Sequence, residues 1–124
     1  MPAAVPAPVY RGGQPVCPSS GWVAHASAEN AVATATYAAD ADATLQHFIT
    51  SIVAGYGTLG VAGTLSVTGL HADAVVFPVN GWLVYTPCVP IPASAINTAV
   101  AAALTAGGSS KTGYVVITGF TAKP

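Results

Sequence analysis

The side chains that could do chemistry are few, and each group falls short of a complete site. Gly55-Tyr56-Gly57-Thr58-Leu59-Gly60 has the GxGxxG spacing of a dinucleotide loop and follows a predicted strand. That fingerprint works because its third glycine opens a helix whose N-terminal N–H groups meet a pyrophosphate. Here VAGTLSVTG follows, with period-two alternation and two more glycines, so the segment reads as a loop between strands. Asp73 stands near the offset of a ribose-binding acid, but without the helix there is no anion site, and no cofactor is expected. His25, His47 and His71 are scattered; His71 and Asp73 share an i,i+2 spacing, yet no close HxH pair with a nearby glutamate exists to hold a metal. The serines include no GxSxG elbow. A glycosidase needs two placed carboxylates, and Asp40 and Asp42 read instead as the two sides of a turn. An enzyme is therefore not expected. Cys17 and Cys88 form no CxxC motif. They are either two buried thiols or one disulfide tying the N-terminal arm to the body. Trp82 and Tyr85, beside Asn80-Gly81, are the aromatic side chains placed to meet a sugar or another ligand, with core packing as the alternative.

Charge is what the chain most lacks. Among 124 residues there are three basic and four acidic side chains, 6% of the total, against about 25% in an ordinary globular domain. A free monomer usually carries a mixed charged surface, so a chain without one is expected to be covered by partners. The alternative is a small soluble domain surfaced with Ala, Gly, Ser and Thr. Three basic residues cannot make a phosphate-binding stripe, which argues against nucleic acid. Residues 1–10 show no targeting signal, and no apolar run approaches the roughly 20 residues of a membrane span.

The elements that must position these residues are strands. In Thr112–Phe120, TGYVVITGF, Tyr114, Val116, Thr118 and Phe120 share one face and Val115 and Ile117 the other. Both faces are apolar, so this strand belongs inside a sheet. Ala28–Ala39 sets Val32, Thr34, Thr36 and Ala38 against Ala31, Ala33, Ala35 and Tyr37. Thr44–Ala54 sets Leu45, His47, Ile49, Ser51 and Val53 against Gln46, Phe48, Thr50, Ile52 and Ala54. Gly63–Leu70 sets Leu65 and Val67 against Thr64, Ser66 and Thr68, the pattern of a half-buried strand. Ala74–Val79 carries Pro78 and is expected at an edge or bend. Trp82–Thr86 follows Asn80-Gly81, the strongest hairpin signal in the chain. Ser94–Gly108 reads as a helix from Ser94 to a C-terminal Gly107, or as a strand with Thr98, Val100, Ala102 and Leu104 on one face. The β character of its neighbours, and a Gly107–Ser110 loop resembling a hairpin, favour the strand; residues 95–106 decide it.

Residues 1–25 hold five of the ten prolines and are expected to form an extended arm, with the folded domain at 26–124. Pro2, Pro6 and Pro8 favour a polyproline-like path and Gly12-Gly13 a turn. Val5, Val9 and Tyr10, next to Arg11, are sticky for a free tail and suit an arm laid on a partner. The whole is expected to be all-β: a β-sandwich or jelly roll of about seven to eight antiparallel strands.

The order GTLSVTG (63–69), a strand ending in Phe77-Pro78, PIPAS (90–94), AAALTAGG (101–108) and GYVVITGF (113–120) resembles small head decoration (cement) proteins of tailed bacteriophages. The resemblance covers about residues 28–120 and lies in strand and glycine patterns. It implies a jelly-roll sandwich, usually a homotrimer, seated on the outer surface of the virion's major capsid protein lattice, with no catalytic residues to carry over. The Pro-rich arm, the Cys17/Cys88 pair and the alanine-rich 99–103 run depart from that family's pattern. Rival readings are a carbohydrate- or receptor-binding module and another minor virion protein, such as a tail subunit.

Overall fold

A computed structural model describes residues 9–11, 14–16, 21–70 and 74–124. Eleven strands are seen among them: β1 (Val9–Arg11), β2 (Gln14–Val16), β3 (Gly21–Glu29), β4 (Ala33–Tyr37), β5 (Gln46–Tyr56), β6 (Ala62–Thr68), β7 (Val75–Asn80), β8 (Trp82–Tyr85), β9 (Ile91–Pro92), β10 (Val100–Leu104) and β11 (Thr112–Ala122). The first two pair only with each other, as an antiparallel hairpin. The body is two antiparallel sheets. The first has the order β3-β11-β5-β8, with short β9 added beside β5; the second has the order β4-β10-β6-β7. No helix occurs among the described residues.

This order is a jelly roll: within the body most successive strands pass from one sheet to the other, and there only β6 and β7 are both consecutive and paired. The expected all-β sandwich is therefore what forms. The strand reading of 94–108 holds in part. Val100, Ala102 and Leu104 do share a buried face, but residues 94–97 form bends and a turn, with Asn97 left-handed at φ 54°, and the strand starts only at Val100.

Two expected hairpins are crossovers instead. Asn80-Gly81 joins β7 of the second sheet to β8 of the first. Gly81 has φ 82°, donates its N–H to the Val61 carbonyl and accepts from Tyr56 N–H, so the turn is locked to the β5 end. The Gly107–Ser110 turn likewise carries the chain from β10 to β11 across the sandwich. Turn chemistry fixes a reversal, not which sheet receives the next strand.

The arm was expected to run to residue 25. Instead Gly21–Glu29 is a full strand paired along β11 from Thr112 to Phe120, and Trp22 is buried in the core. Within the arm, β1 and β2 pair as a hairpin, and the polyproline-like path expected around Pro2, Pro6 and Pro8 lies outside the described residues. Prolines and glycines on the N-terminal side hid a strand whose inward positions are Trp22, Ala24 and Ala26.

The core lies between the sheets. Ile49, Ile52, Ala54, Val115 and Ile117 from the first meet Leu65, Val67, Val100, Ala102 and Leu104 from the second, all fully buried. Burial of such side chains contributes about 1.5–3 kcal/mol for each large aliphatic before entropy is counted. The predicted alternation of β5 holds only up to Ile49. Thr118 pairs with Ser51 while Gly119 pairs with Ile49, so Thr50 is the extra residue of a β-bulge. Past it the faces exchange: Ile52, Ala54 and Tyr56 point inward, where Ser51 and Val53 would have followed by strict alternation.

Candidate interaction surface

The two sheets turn very different outer faces to their surroundings. Across the second sheet the outward rows are Thr36, Ala101 and Thr68, then Thr34, Ala103, Ser66 and Val76. This face is small and hydroxyl-rich. Across the first sheet the rows are Ser27, Tyr114, Gly55 and Trp82, then His25, Val116, Val53 and Val84, then Val23, Thr118 and Ser51, then Phe120 and Phe48. This face is aromatic and aliphatic. Val84 is 70%, Val23 59%, Trp82 55% and Tyr114 41% exposed.

The aromatic side chains sort into two stacked pairs at opposite ends. Trp82 lies 6.2 Å from Tyr114 with ring planes 13° apart, and Phe48 lies 5.0 Å from Phe120 at 11°. Gly55 separates Trp82 from Tyr114 in the register. A Cβ there would come within 2.3 Å of the Trp82 ring, so glycine is what lets the indole lie flat across β5 toward Tyr114. An open depression of about 600 Å³ lies at the other end, between Val23, Thr50, Thr118 and Phe120. The hydroxyls of this face satisfy one another: Thr118 Oγ1 bonds both Ser51 Oγ and Thr50 Oγ1.

Among the described residues, Asp, Glu, Lys and Arg side chains keep to the margins of the two broad faces. Glu29 ends β3, Asp40 and Asp42 lie in the β4–β5 connection, Lys111 precedes β11 and Lys123 follows it. Asp40 and Asp42 are turn residues, as expected. Asp40 Oδ1 accepts from Asp42 N–H at 2.8 Å, and Asp42 Oδ1 accepts from Thr44 N–H at 2.9 Å and from its hydroxyl at 2.7 Å. Those two bonds from Thr44 hold the Asp42 carboxyl below its ordinary value.

The remaining candidates separate. Trp82 and Tyr85 share β8 but not a face: Trp82 points out, while Tyr85 is half-buried against Phe77, 5.4 Å away. The aromatic partner of Trp82 is Tyr114, which only the pairing register reveals. His25 is exposed on β3 and His47 is buried on β5, while His71 and Asp73 lie outside the described residues. Among the described residues no group of three or more His, Cys, Asp or Glu side chains comes together. Cys88 is exposed and has no disulfide partner among the described residues; Val5 and Cys17 lie outside the described residues. Of Val9, Tyr10 and Arg11 only the backbone, in β1, is described.

One polar cluster went unread in the sequence. His47, 1% exposed, has Nε2 at 2.7 Å from the Ala38 carbonyl, so that nitrogen donates. Its Nδ1 then accepts from the Thr121 hydroxyl at 2.7 Å, and Trp22 Nε1–H donates to the same oxygen at 3.1 Å. Tyr37 stacks on Trp22 at 4.2 Å and meets the imidazole edge-on at 4.8 Å. The cluster ties β3, β4, β5 and β11 together at one end of the sandwich. Each polar side-chain atom of Trp22, His47 and Thr121 has a partner, which suits a structural role.

No protein-family model and no curated protein matches the chain. A solved structure similar to it is the cryo-EM structure of the virus-like particle of extra small virus from the giant freshwater prawn Macrobrachium rosenbergii, at 15% identity over 96% of this chain and 94% of that one, with a TM-score of 0.30.

Proposed function

We propose that this chain is a non-catalytic structural subunit of a virus particle, a decoration (cement) protein that binds the outside of an assembled phage head and stabilises it. The observation that carries this reading is the placement of charge. All described charged side chains lie at strand ends and turns, which leaves two broad uncharged faces on a jelly roll, an architecture used by viral capsid domains among others. Such a surface suits a molecule that works covered. The resemblance to head decoration proteins, in which homotrimers sit on the major capsid protein lattice, agrees with it.

The mechanism is mass action. A subunit that binds only the assembled shell stabilises that state in proportion to the logarithm of its own concentration over its Kd. In this account the arm, through Val5, Val9, Tyr10 and Arg11, reaches the lattice and extends the contact toward the roughly 1,600 Å² of a standard interface. Deleting residues 2–12 should abolish co-sedimentation with the heads of its own virion while leaving the β-sheet circular dichroism intact; unchanged occupancy would overturn the arm's role.

A second reading is favoured by one feature. Trp82, stacked on Tyr114 on an open face, is the kind of platform that meets a sugar ring. Glycan-array binding that disappears in Trp82→Ala would favour a carbohydrate-binding module instead.

A further inference from the structure

We propose that the outer face of the β3-β11-β5-β8 sheet is covered by the same face of a second copy of this chain. The inference does not depend on what the assembly binds. It starts from size. Four strands about 4.8 Å apart, carrying four outward rows about 6.6 Å apart, present roughly 20 Å by 25 Å per copy. Two such faces bury about 1,000 Å² before side-chain relief is counted, which reaches the threshold of a specific interface. A soluble monomer's largest apolar patch is usually about 300–600 Å², and this face, with Ser27, His25, Ser51 and Thr118 among its apolar side chains, falls within that range.

Self-pairing is favoured by chemistry as well as area. In a two-fold contact each residue of the patch meets the patch itself, so any charge would face its own sign nearby. On this face the one carboxylate, Glu29, and the one imidazole, His25, both lie on the edge strand β3, Glu29 at its last position, so the centre of the patch carries no charge. The Thr50, Ser51 and Thr118 hydroxyls already bond one another, so covering them strands few polar groups. The stacked pairs at the two ends, Trp82 with Tyr114 and Phe48 with Phe120, are rigid aromatic anchors of the type that carries binding energy. Two first sheets would then stack face to face at about 10 Å, as sheets pack inside a sandwich. The second sheet, with Thr34, Thr36, Ser66 and Thr68 outward, offers no such anchors.

The experiment is light scattering on the full chain over a dilution series, with Val84→Lys on the first sheet and Thr36→Lys on the second. Both positions are exposed strand sites, so circular dichroism should show both variants folded. The expected wild-type mass is an even multiple of the protomer: a dimer, or a hexamer where a separate three-fold contact also forms. Val84→Lys should halve that mass, and Thr36→Lys should leave it unchanged. A wild-type monomer or trimer at high concentration, a Val84→Lys mass equal to wild type, or an equal loss in Thr36→Lys would each overturn the proposal. A Val84→Lys variant that keeps its mass but loses attachment to capsids would assign the face to the lattice, and so overturn it too.

Discussion

The two sheets of this sandwich share an inner chemistry and differ in their outer one. Inward, both offer branched aliphatic side chains and alanine. Outward, the second sheet shows threonine, serine and alanine, with Val76 on its edge strand, whereas the first shows tryptophan, tyrosine, phenylalanine and valine among a few polar side chains. A fold needs only the inner faces to be apolar. The outer face of the first sheet therefore answers to something other than folding, and contact with another protein surface is the simplest demand that would produce it.

The contrast breaks if the inner faces prove unequal too. Ile117→Ala on the first sheet and Leu104→Ala on the second each empty a fully buried site and should each cost about 2–5 kcal/mol in urea unfolding. A loss confined to one sheet would mean that the sheets do not share one core. The buried polar cluster gives a smaller effect. Thr121→Val leaves Trp22 Nε1–H and His47 Nδ1 without their common partner and should cost about 1–3 kcal/mol, measured the same way; no change would show that the hydroxyl is dispensable. Smallest is the rim. Hydrogen bonds from Thr44 keep the Asp42 carboxyl ionised to lower pH than its ordinary 3.8. Its contribution is therefore fully present above that value and fades as pH falls through the lower folded-state value. Asp42→Asn should flatten the acid limb of the stability profile slightly and leave neutral pH nearly untouched.

The same contrast explains what could be read in the sequence. In the second sheet, Thr34 and Thr36 alternate with Ala33 and Ala35, and Thr64, Ser66 and Thr68 with Leu65 and Val67. The core side was legible there, as was the edge position of β7 from Pro78. In the first sheet both faces are apolar, so the pattern shows a strand without showing which face is core. Thr50 then flips β5 part-way, and a bulge is written in the pairing partner's register rather than in local sequence. Trp22 was hidden by the prolines before it. His47 and Thr121 lie 74 positions apart, and nothing local links them. Trp82 stood out as an exposed aromatic, but its stack on Tyr114 depends on Gly55 lying between them across two strand pairings.

The central claim, that the aromatic face is covered in the working molecule, can be tested through its tryptophans. The chain has two: Trp22 is buried in the core and Trp82 is on the face in question. Acrylamide quenching of the intact chain should be followed from dilute to concentrated solution. The account predicts one quenchable tryptophan at high dilution and none once copies associate. A Trp82 that stays equally quenchable at every concentration would contradict it.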